Sequence, residues 1–417
     1  MKKIILFLIC MGFLTRIFAQ GAWVDLNGGV DGVITNMTEY NGKLVVVGNF
    51  MHAGGLYSPH MAFWDGTNWQ AAGLDSLSAI PQNLVVNNDT LFSCYYFQLH
   101  YWNGTGWNTY LQLPSETDRA ISYHNEIYFT SYSGMLLYRI TNDTILMIGQ
   151  MSGGISDMTI YHDQLFATGC FDYINGSRYG HIASYDGTAW HLVANGFTSG
   201  SYGTSLEIIN GLLYIGGTIS PFGSSINYNL LTYDDSNLQV ESVQPGYQII
   251  DMKSVSDNLF INSVNDSSYN VKLLDSTSWR TIGEIKIIST SYLYPTMMNF
   301  NNKLYVAGEF STINGATYNN VARWEESNGI NPNNLTENEK LTIYPNPTHD
   351  FITICIPSNK SQINTELSIT DINGNQISKQ NIIQNNLTLS VENLPAGLYI
   401  VKVSNEKEVF VGKLIKQ

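Results

Sequence analysis

Histidine, arginine and carboxylate side chains are the groups in this sequence that could move protons, hold a metal or clamp an anion. No G-x-S-x-G elbow exposes a serine, and no H-E-x-x-H sets two imidazoles on one helix face. No P-loop or G-x-G-x-x-G turn is present to cradle a phosphate. Beyond residue 19 there are five arginines, Arg119, Arg139, Arg178, Arg280 and Arg323, each standing alone. Of the histidines His52, His60, His181 and His191, the middle two share one station of a repeat whose other copies carry Asn229 and Asn320. Because Asn occurs in the same repeat column, His60 and His181 read as structural residues of the blade. Cys94, Cys170 and Cys355 are three, with no CxxC spacing, which argues for buried free thiols rather than a disulfide framework or a zinc site. "DINGNQ" at 371–376 is a near miss for a calcium loop, with its Gly fourth rather than sixth, and reads as a hairpin turn. No catalytic residue, metal set or cofactor is expected. A divalent cation would suit the acidic surface, but no motif supports one.

What remains is recognition. Four connecting segments, "MHAGGLYSP", "DYINGSRYG", "SPFGSSINY" and "STINGATYN", are long and carry aromatics among Asn and Ser. Tyr57, Tyr173, Tyr179, Phe222, Tyr228 and Tyr318 are the candidate ligand-binding residues. Rings beside amides and hydroxyls can stack on a sugar or anchor a protein partner. The same rings could instead pack the segments onto their own sheets.

These segments belong to a repeat. An apolar or aromatic residue, a polar pair and Leu or Ile recur as "YNGKL", "NNDTL", "YHNEI", "YHDQL", "INGLL", "VSDNL" and "FNNKL". The anchors are Leu44, Leu91, Ile127, Leu165, Leu213, Leu259 and Leu304, spaced by 47, 36, 38, 48, 46 and 45 residues. In four units a Gly stands four residues on (Gly48, Gly169, Gly217, Gly308). A large apolar residue stands six on (Phe50, Phe171, Ile219, Phe310), and an aromatic twenty on (Trp64, Tyr185, Tyr233, Trp324). Units 2, 3 and 6 are the same with a shortened middle, by nine, nine and five residues in the anchor-to-aromatic spacing. Alternation and β-branched content predict four strands per unit, in the first near 33–40, 43–50, 60–65 and 68–73. Asp65-Gly66, Asn103-Gly104 and Asp186-Gly187 predict tight turns between the third and fourth strands. Trp69, Trp107, Trp190 and Trp279 follow them and are placed to cap the packing between neighbouring units.

Four-stranded units at this period, seven times over, predict an all-β fold whose main part is a seven-bladed β-propeller over 20–328. The units resemble kelch-like bacterial propeller repeats, although the kelch double glycine has a counterpart only at Gly216-Gly217. On such a scaffold a copper oxidase needs a Tyr–Cys pair with two His, and a sialidase needs three converging Arg. "SYDGTAW" at 184–190 only superficially resembles the sialidase Asp-box. The seventh unit lacks a fourth strand, and "GAWVDLNGG" at 21–29 fits the vacancy. The expectation is a ring closed by the N-terminal strand, with few open edges.

The two ends of the chain give its itinerary. Lys2 and Lys3, the apolar run "IILFLICMGFLT" and small Ala19 predict a signal peptide over 1–19, cut between Ala19 and Gln20. The residues before Cys10 are not those of a lipid-attachment site, and no later run is long enough to span a membrane. Residues 329–340 read as a polar linker. Strand alternation with Asn-Gly and Pro-Ala-Gly turns over 341–417 predicts a small immunoglobulin-like β-sandwich. This segment carries "YPNP" at 344–347, "DINGN" at 371–375 and "LPAGLYIVKV" at 394–403. It resembles the C-terminal sorting domain of the type IX secretion system of Bacteroidetes, with Tyr344, Pro345, Asn346, Pro347, Gly397 and Tyr399 in its motif. The resemblance implies passage through the periplasm and delivery by that machinery to the outer-membrane surface or the medium.

The formal charge is −14, and −17 without residues 1–19. Residues 341–417 hold six Lys and six Asp or Glu, so all of that charge lies in the repeat region, which would repel nucleic acid and anionic lipid. The function expected is a secreted or cell-surface binding or adhesion protein recognising a glycan or a protein. The alternative is an extracellular carbohydrate-active enzyme, hydrolase or lyase, on the same scaffold.

Overall fold

The computed structural model describes residues 21–73, 80–265, 268–275, 278–287, 294–326, 341–355, 365–371, 376–382, 386–404 and 409–417. The signal segment with Ala19 and Gln20, and the linker 329–340, lie outside the described residues. One body is Gly21–Glu326, and the described residues after 340 form another.

The first body is all-β and consists of antiparallel sheets, one per repeat unit. Sheet 1 runs Val33–Tyr40, Lys43–Asn49, Met61–Trp64, Trp69–Ala71. Sheets 2 to 5 repeat the order with first strands Gln82–Asn87, Thr117–Tyr123, Ile155–Tyr161 and Tyr202–Ile209. Sheet 6 begins at Gln248–Val255 and is extended past its fourth strand by Phe310–Ile313 and Ala316–Thr317. Sheet 7 contains Thr296–Phe300, Lys303–Ala307 and Val321–Glu325, with Ala22–Asp25 beside the last.

Each repeat column has a physical cause. The anchor pairs across strands with the aromatic twenty residues on, as Leu44 with Trp64, Leu165 with Tyr185, Leu213 with Tyr233 and Leu304 with Trp324. In unit 3 the partner of Ile127 is Ile140, so that connection is longer than the aromatic spacing implied. The glycine column marks a close approach. A Cβ on Gly48 would sit 2.0 Å from the Val33 carbonyl oxygen, and one on Gly169 would sit 2.1 Å from that of Gly154. Both clashes fall where the first strand's register slips by one residue. The Asp-Gly turns differ from the expected pair of positive-φ residues. Only the glycine is left-handed, with φ of 101° at Gly66 and 95° at Gly187. The preceding Asp instead gathers the loop: Asp65 Oδ1 accepts the Thr67 and Asn68 amides at 2.9 and 2.7 Å. This holds the Asp65 carboxyl down to about 2.

The core lies between sheets. Val45, Val47 and Met61 of sheet 1 pack on Leu84, Leu91 and Trp102 of sheet 2. Similar clusters join each sheet to the next, and one joins Phe300 and Tyr305 of sheet 7 to Leu44 and Trp64 of sheet 1. The tryptophans after the turns sit at such boundaries, and three of them donate the indole N–H to the chain of the sheet before. Trp69 reaches the Leu26 carbonyl at 2.6 Å, Trp190 that of Ile148 at 3.0 Å and Trp279 that of Val243 at 2.8 Å. Trp23 does the same to Ile282 at 2.8 Å, and its ring meets Trp324 at 5.3 Å as Trp69 meets Trp64 at 5.2 Å.

The C-terminal body has two sheets. One joins Thr342–Tyr344, Phe351–Cys355 and Asn386–Ser390. The other orders Gln376–Ile382, Thr365–Asp371, Gly397–Ser404 and Val409–Lys416. Ile352, Ile354, Leu367, Val401, Val403 and Leu414 form its core. Of the cysteines, Cys94 is buried, Cys355 half-buried and Cys170 exposed, so burial does not hold for all three free thiols.

Candidate functional site

The six aromatics of the long connections divide into two groups. Tyr57, Tyr173 and Phe222 are exposed, at 52%, 44% and 60%. Tyr179, Tyr228 and Tyr318 are half-buried against the cores of their own sheets. Tyr179 donates its hydroxyl to the Trp190 carbonyl at 3.3 Å, and Tyr318 to that of Trp23 at 3.1 Å. The exposed members are propped as well. Tyr57 lies edge-on to His52, whose imidazole meets Asp31 at 2.7 Å, and the Arg178 guanidinium stands 5.2 Å from the Phe222 ring.

The long connections mainly join sheets. Phe310–Ile313 adds directly to the fourth strand of sheet 6. The connection of sheet 1 bridges Ala53 to Val30, that of sheet 4 bridges Ile174 to Met151, and that of sheet 5 bridges Pro221 to Phe197. Each insertion therefore hydrogen-bonds the chain leaving the preceding sheet. The backbone N–H and C=O groups of these segments find their partners there, which is why long loops can lie flat on the sheet ends.

At the same strand ends, the short connections leave a cleft of about 460 Å³. It is lined by His60 of sheet 1, by Gln82, Cys94, Tyr95 and Tyr96 of sheet 2, and by Glu116, Thr117 and Tyr132 around sheet 3. Tyr96 and Tyr132 are 60% and 72% exposed. Burial pushes the Tyr95 phenol up to about 12, with help from Tyr96 beside it, and the buried Cys94 thiol also to about 12. Neither group ionises near neutral pH. His60 fulfils the structural expectation in part, its Nδ1 lying 3.1 Å from the Gly48 carbonyl, while its edge also faces the cleft.

A second concentration of polar groups lies along the first strands. Eight residues before each anchor stands Asn36, Asn83, Arg119, Asp157, Ser205, Asp251 or Thr296. Asp157 accepts the Leu206 amide, Ser205 the Met252 amide and Asp251 the Met297 amide, at 2.8, 3.1 and 2.8 Å. Lys253 lies 3.7 Å from Glu207 and 3.6 Å from Asp251. Burial alone would depress the Lys253 ammonium, but Asp251, Glu207 and Asp157 outweigh it and hold it above the ordinary lysine value. Burial raises the Asp157 and Glu207 carboxyls, with Lys253 acting against it. This polar column escaped the sequence reading because its members differ in chemistry and share only position. The cleft left one signal, the aromatic run "YYF" at 95–97.

Among the described residues, no group of three or more His, Cys, Asp or Glu is placed to hold a metal ion. No helix among them is long and apolar enough to cross a membrane. In the sorting motif, Asn346 ties the final strand: its amide donates to the Lys413 carbonyl at 2.5 Å and its oxygen accepts the Ile415 amide at 2.8 Å. Tyr399 donates to the Pro395 carbonyl at 2.8 Å, with Gly397 between them. Tyr344, Pro345 and Pro347 are exposed.

Residues 342–417 match the family of secretion system C-terminal sorting domains. Residues 301–326 match a β-propeller domain of unknown function, DUF5122. No curated protein matches the chain. Among solved structures, the extracellular domain of BT4673 from B. thetaiotaomicron is similar at a TM-score of 0.51 and 9% identity, over 81% of this chain and 44% of that one. PorZ, described as an essential bacterial surface component of the type IX secretion system of Porphyromonas gingivalis, gives 0.48 and 13%, over 92% and 59%. YCF48 from Cyanidioschyzon merolae gives 0.45 and 12%, over 73% and 98%. The chain thus spans less than two thirds of the first two. At these identities the likeness concerns fold alone. The chain is a β-propeller protein that carries a type IX sorting domain, and it is secreted or displayed at the cell surface.

Proposed function

We propose that this protein is an exported recognition module: a seven-bladed, kelch-like propeller closed by Ala22–Asp25, binding a glycan or a protein without covalent chemistry. The closure reading is supported by Trp23, which repeats the contacts of the other fourth-strand tryptophans. The signal peptide over 1–19 and delivery through the periplasm by the type IX machinery complete the route. The observation that carries the binding reading is the gathering of exposed aromatics at one set of strand ends. Tyr57, Tyr96, Phe97, Tyr132, Tyr173 and Phe222 all stand at second-to-third connections and are 44–72% exposed.

A carbohydrate-active enzyme on this scaffold would need free converging carboxylates. Asp157, Glu207 and Asp251 do converge, but on Lys253 and on backbone amides of the next sheet, which favours a joining role. The test is a glycan-array and surface-pulldown screen with the exported chain. Specific retention of a ligand, lost when the exposed aromatics are replaced together, supports the reading. Turnover of a polysaccharide with no stable binding would replace it with the enzymatic one.

A further inference from the structure

The cleft between sheets 1, 2 and 3 has features that the other strand ends lack. Tyr132 is the most exposed large apolar side chain among the described residues, at 72%. Tyr96 occupies the first central position of a two-residue hairpin, closed by the pairing of Tyr95 with Gln98, and holds φ at 48°. That station normally falls to glycine or asparagine, and a bulky ring there is strained. The other left-handed non-glycine residues are mainly Asn, Asp and His, and no other Tyr, Phe or Trp joins them among the described residues. The Tyr96 ring is 60% exposed and stands edge-on to Tyr95 at 4.5 Å between centroids. In the same lining, the half-buried Glu116 carboxylate and the exposed Gln82 amide make no side-chain hydrogen bond with the described residues.

We propose that this cleft, rather than the long connections, is the binding site, and that its ligand is a neutral oligosaccharide; the inference rests on the recognition reading above. A pyranose offers an apolar C–H face to an aromatic ring and hydroxyls to a carboxylate and an amide, and the cleft presents both. Its volume of about 460 Å³ lies within the range typical of small-ligand sites, about 300–1,000 Å³. A protein partner would call for a broader face, roughly 800 Å² on each side. The acidic repeat region disfavours uronic or sulfated sugars.

The test uses the exported chain and titrates it with neutral gluco-, galacto-, manno- and N-acetylhexosamine oligomers. Tyr132→Ala and Tyr96→Gly each weaken binding about tenfold or more, and Glu116→Gln weakens it less. Tyr96→Gly also keeps or raises the melting temperature, because glycine relieves the left-handed strain, so lost binding there is not lost folding. Tyr57→Ala and Phe222→Ala are the discriminating arm, and they weaken binding less than the cleft variants do. If those two abolish sugar binding while the cleft variants do not, the cleft assignment falls and the wider recognition reading stands. If no neutral sugar binds below about 1 mM but a protein is retained, the ligand class is wrong. If nothing is retained at all, both readings fall.

Discussion

Sheets 1, 4, 5 and 7 send long second-to-third connections back onto the preceding sheet, whereas sheets 2, 3 and 6 turn more tightly. The two groups use similar residues differently. In the long connections, Tyr179 and Tyr318 spend their hydroxyls on backbone carbonyls and their rings on the core. In the short ones, Tyr96 and Tyr132 have no such layer beneath them and stay exposed. Loop length here measures how firmly neighbouring sheets are joined, and the recess opens where the joining is absent.

The boundaries without such an insertion are held by other means. Between sheets 5 and 6, Glu207 accepts the Ser254 amide and hydroxyl at 3.0 and 2.6 Å, and Thr204 donates to the Ile249 carbonyl at 2.7 Å. Between sheets 2 and 3, Asn83 donates to the Thr117 carbonyl at 2.6 Å, and Ser122 to the Asn87 amide oxygen at 2.7 Å. Side-chain links along the first strands thus join sheets with and without an insertion, as Asp157 with Leu206 and Asp251 with Met297 do where one is present, whereas backbone pairing at the sheet ends is what the insertions add.

The largest effect that would break this comparison is at Trp23, which contributes both a strand pair and an indole link. Trp23→Ala should cost about 3–5 kcal/mol, read as a lower midpoint in denaturant; an unchanged midpoint would leave the N-terminal strand with no joining role. Lys253→Met should cost about 1–3 kcal/mol, since it strands Glu207 and Asp251 in a partly screened site. Its pH dependence has a definite sign. The folded ammonium is held above the usual value of 10.5, so its contribution is complete below that pH and lost as pH climbs through the raised value. Alkaline unfolding should therefore be less steep in the variant.

Next comes the insertion of sheet 4. Replacing residues 172–180 by a two-residue turn removes several backbone hydrogen bonds to sheet 3. The expected loss is about 1–3 kcal/mol, with amide exchange accelerated at residues 148–152 and unchanged around Gln82. Uniform acceleration over the whole body would mean that the insertions stabilise nothing local. The smallest effects separate the aromatics: Tyr179→Phe and Tyr318→Phe should each cost about 1 kcal/mol, while Tyr173→Ala should stay within about 0.5 kcal/mol. Equal costs at all three would erase the distinction between propping and exposed rings.

Much of the fold was legible in the sequence because its causes are local and repeated. The anchor, glycine and aromatic columns are each enforced by one cross-strand pair or one close approach within a unit. The sorting domain was legible through its motifs, although only the Tyr399–Pro395 bond among their contacts is local, Asn346 reaching 67 and 69 positions along the chain to Lys413 and Ile415. The candidate site was less so. The sequence pointed to six aromatics in long connections and could not tell a ring aimed outward from one folded under.

By itself, then, the sequence determined an all-β chain of repeated four-strand units and an export module, because alternation, turn residues and period act within tens of residues. Only the tertiary structure decided which partner each long connection takes, that Asp157, Glu207, Asp251 and Lys253 meet across sheet boundaries, and that His60, Gln82, Glu116 and Tyr132 line one recess. Those outcomes depend on how whole sheets stack. Stacking brings together residues up to 96 positions apart around Lys253 and 72 positions apart around the cleft, at separations where no local pattern reports contact.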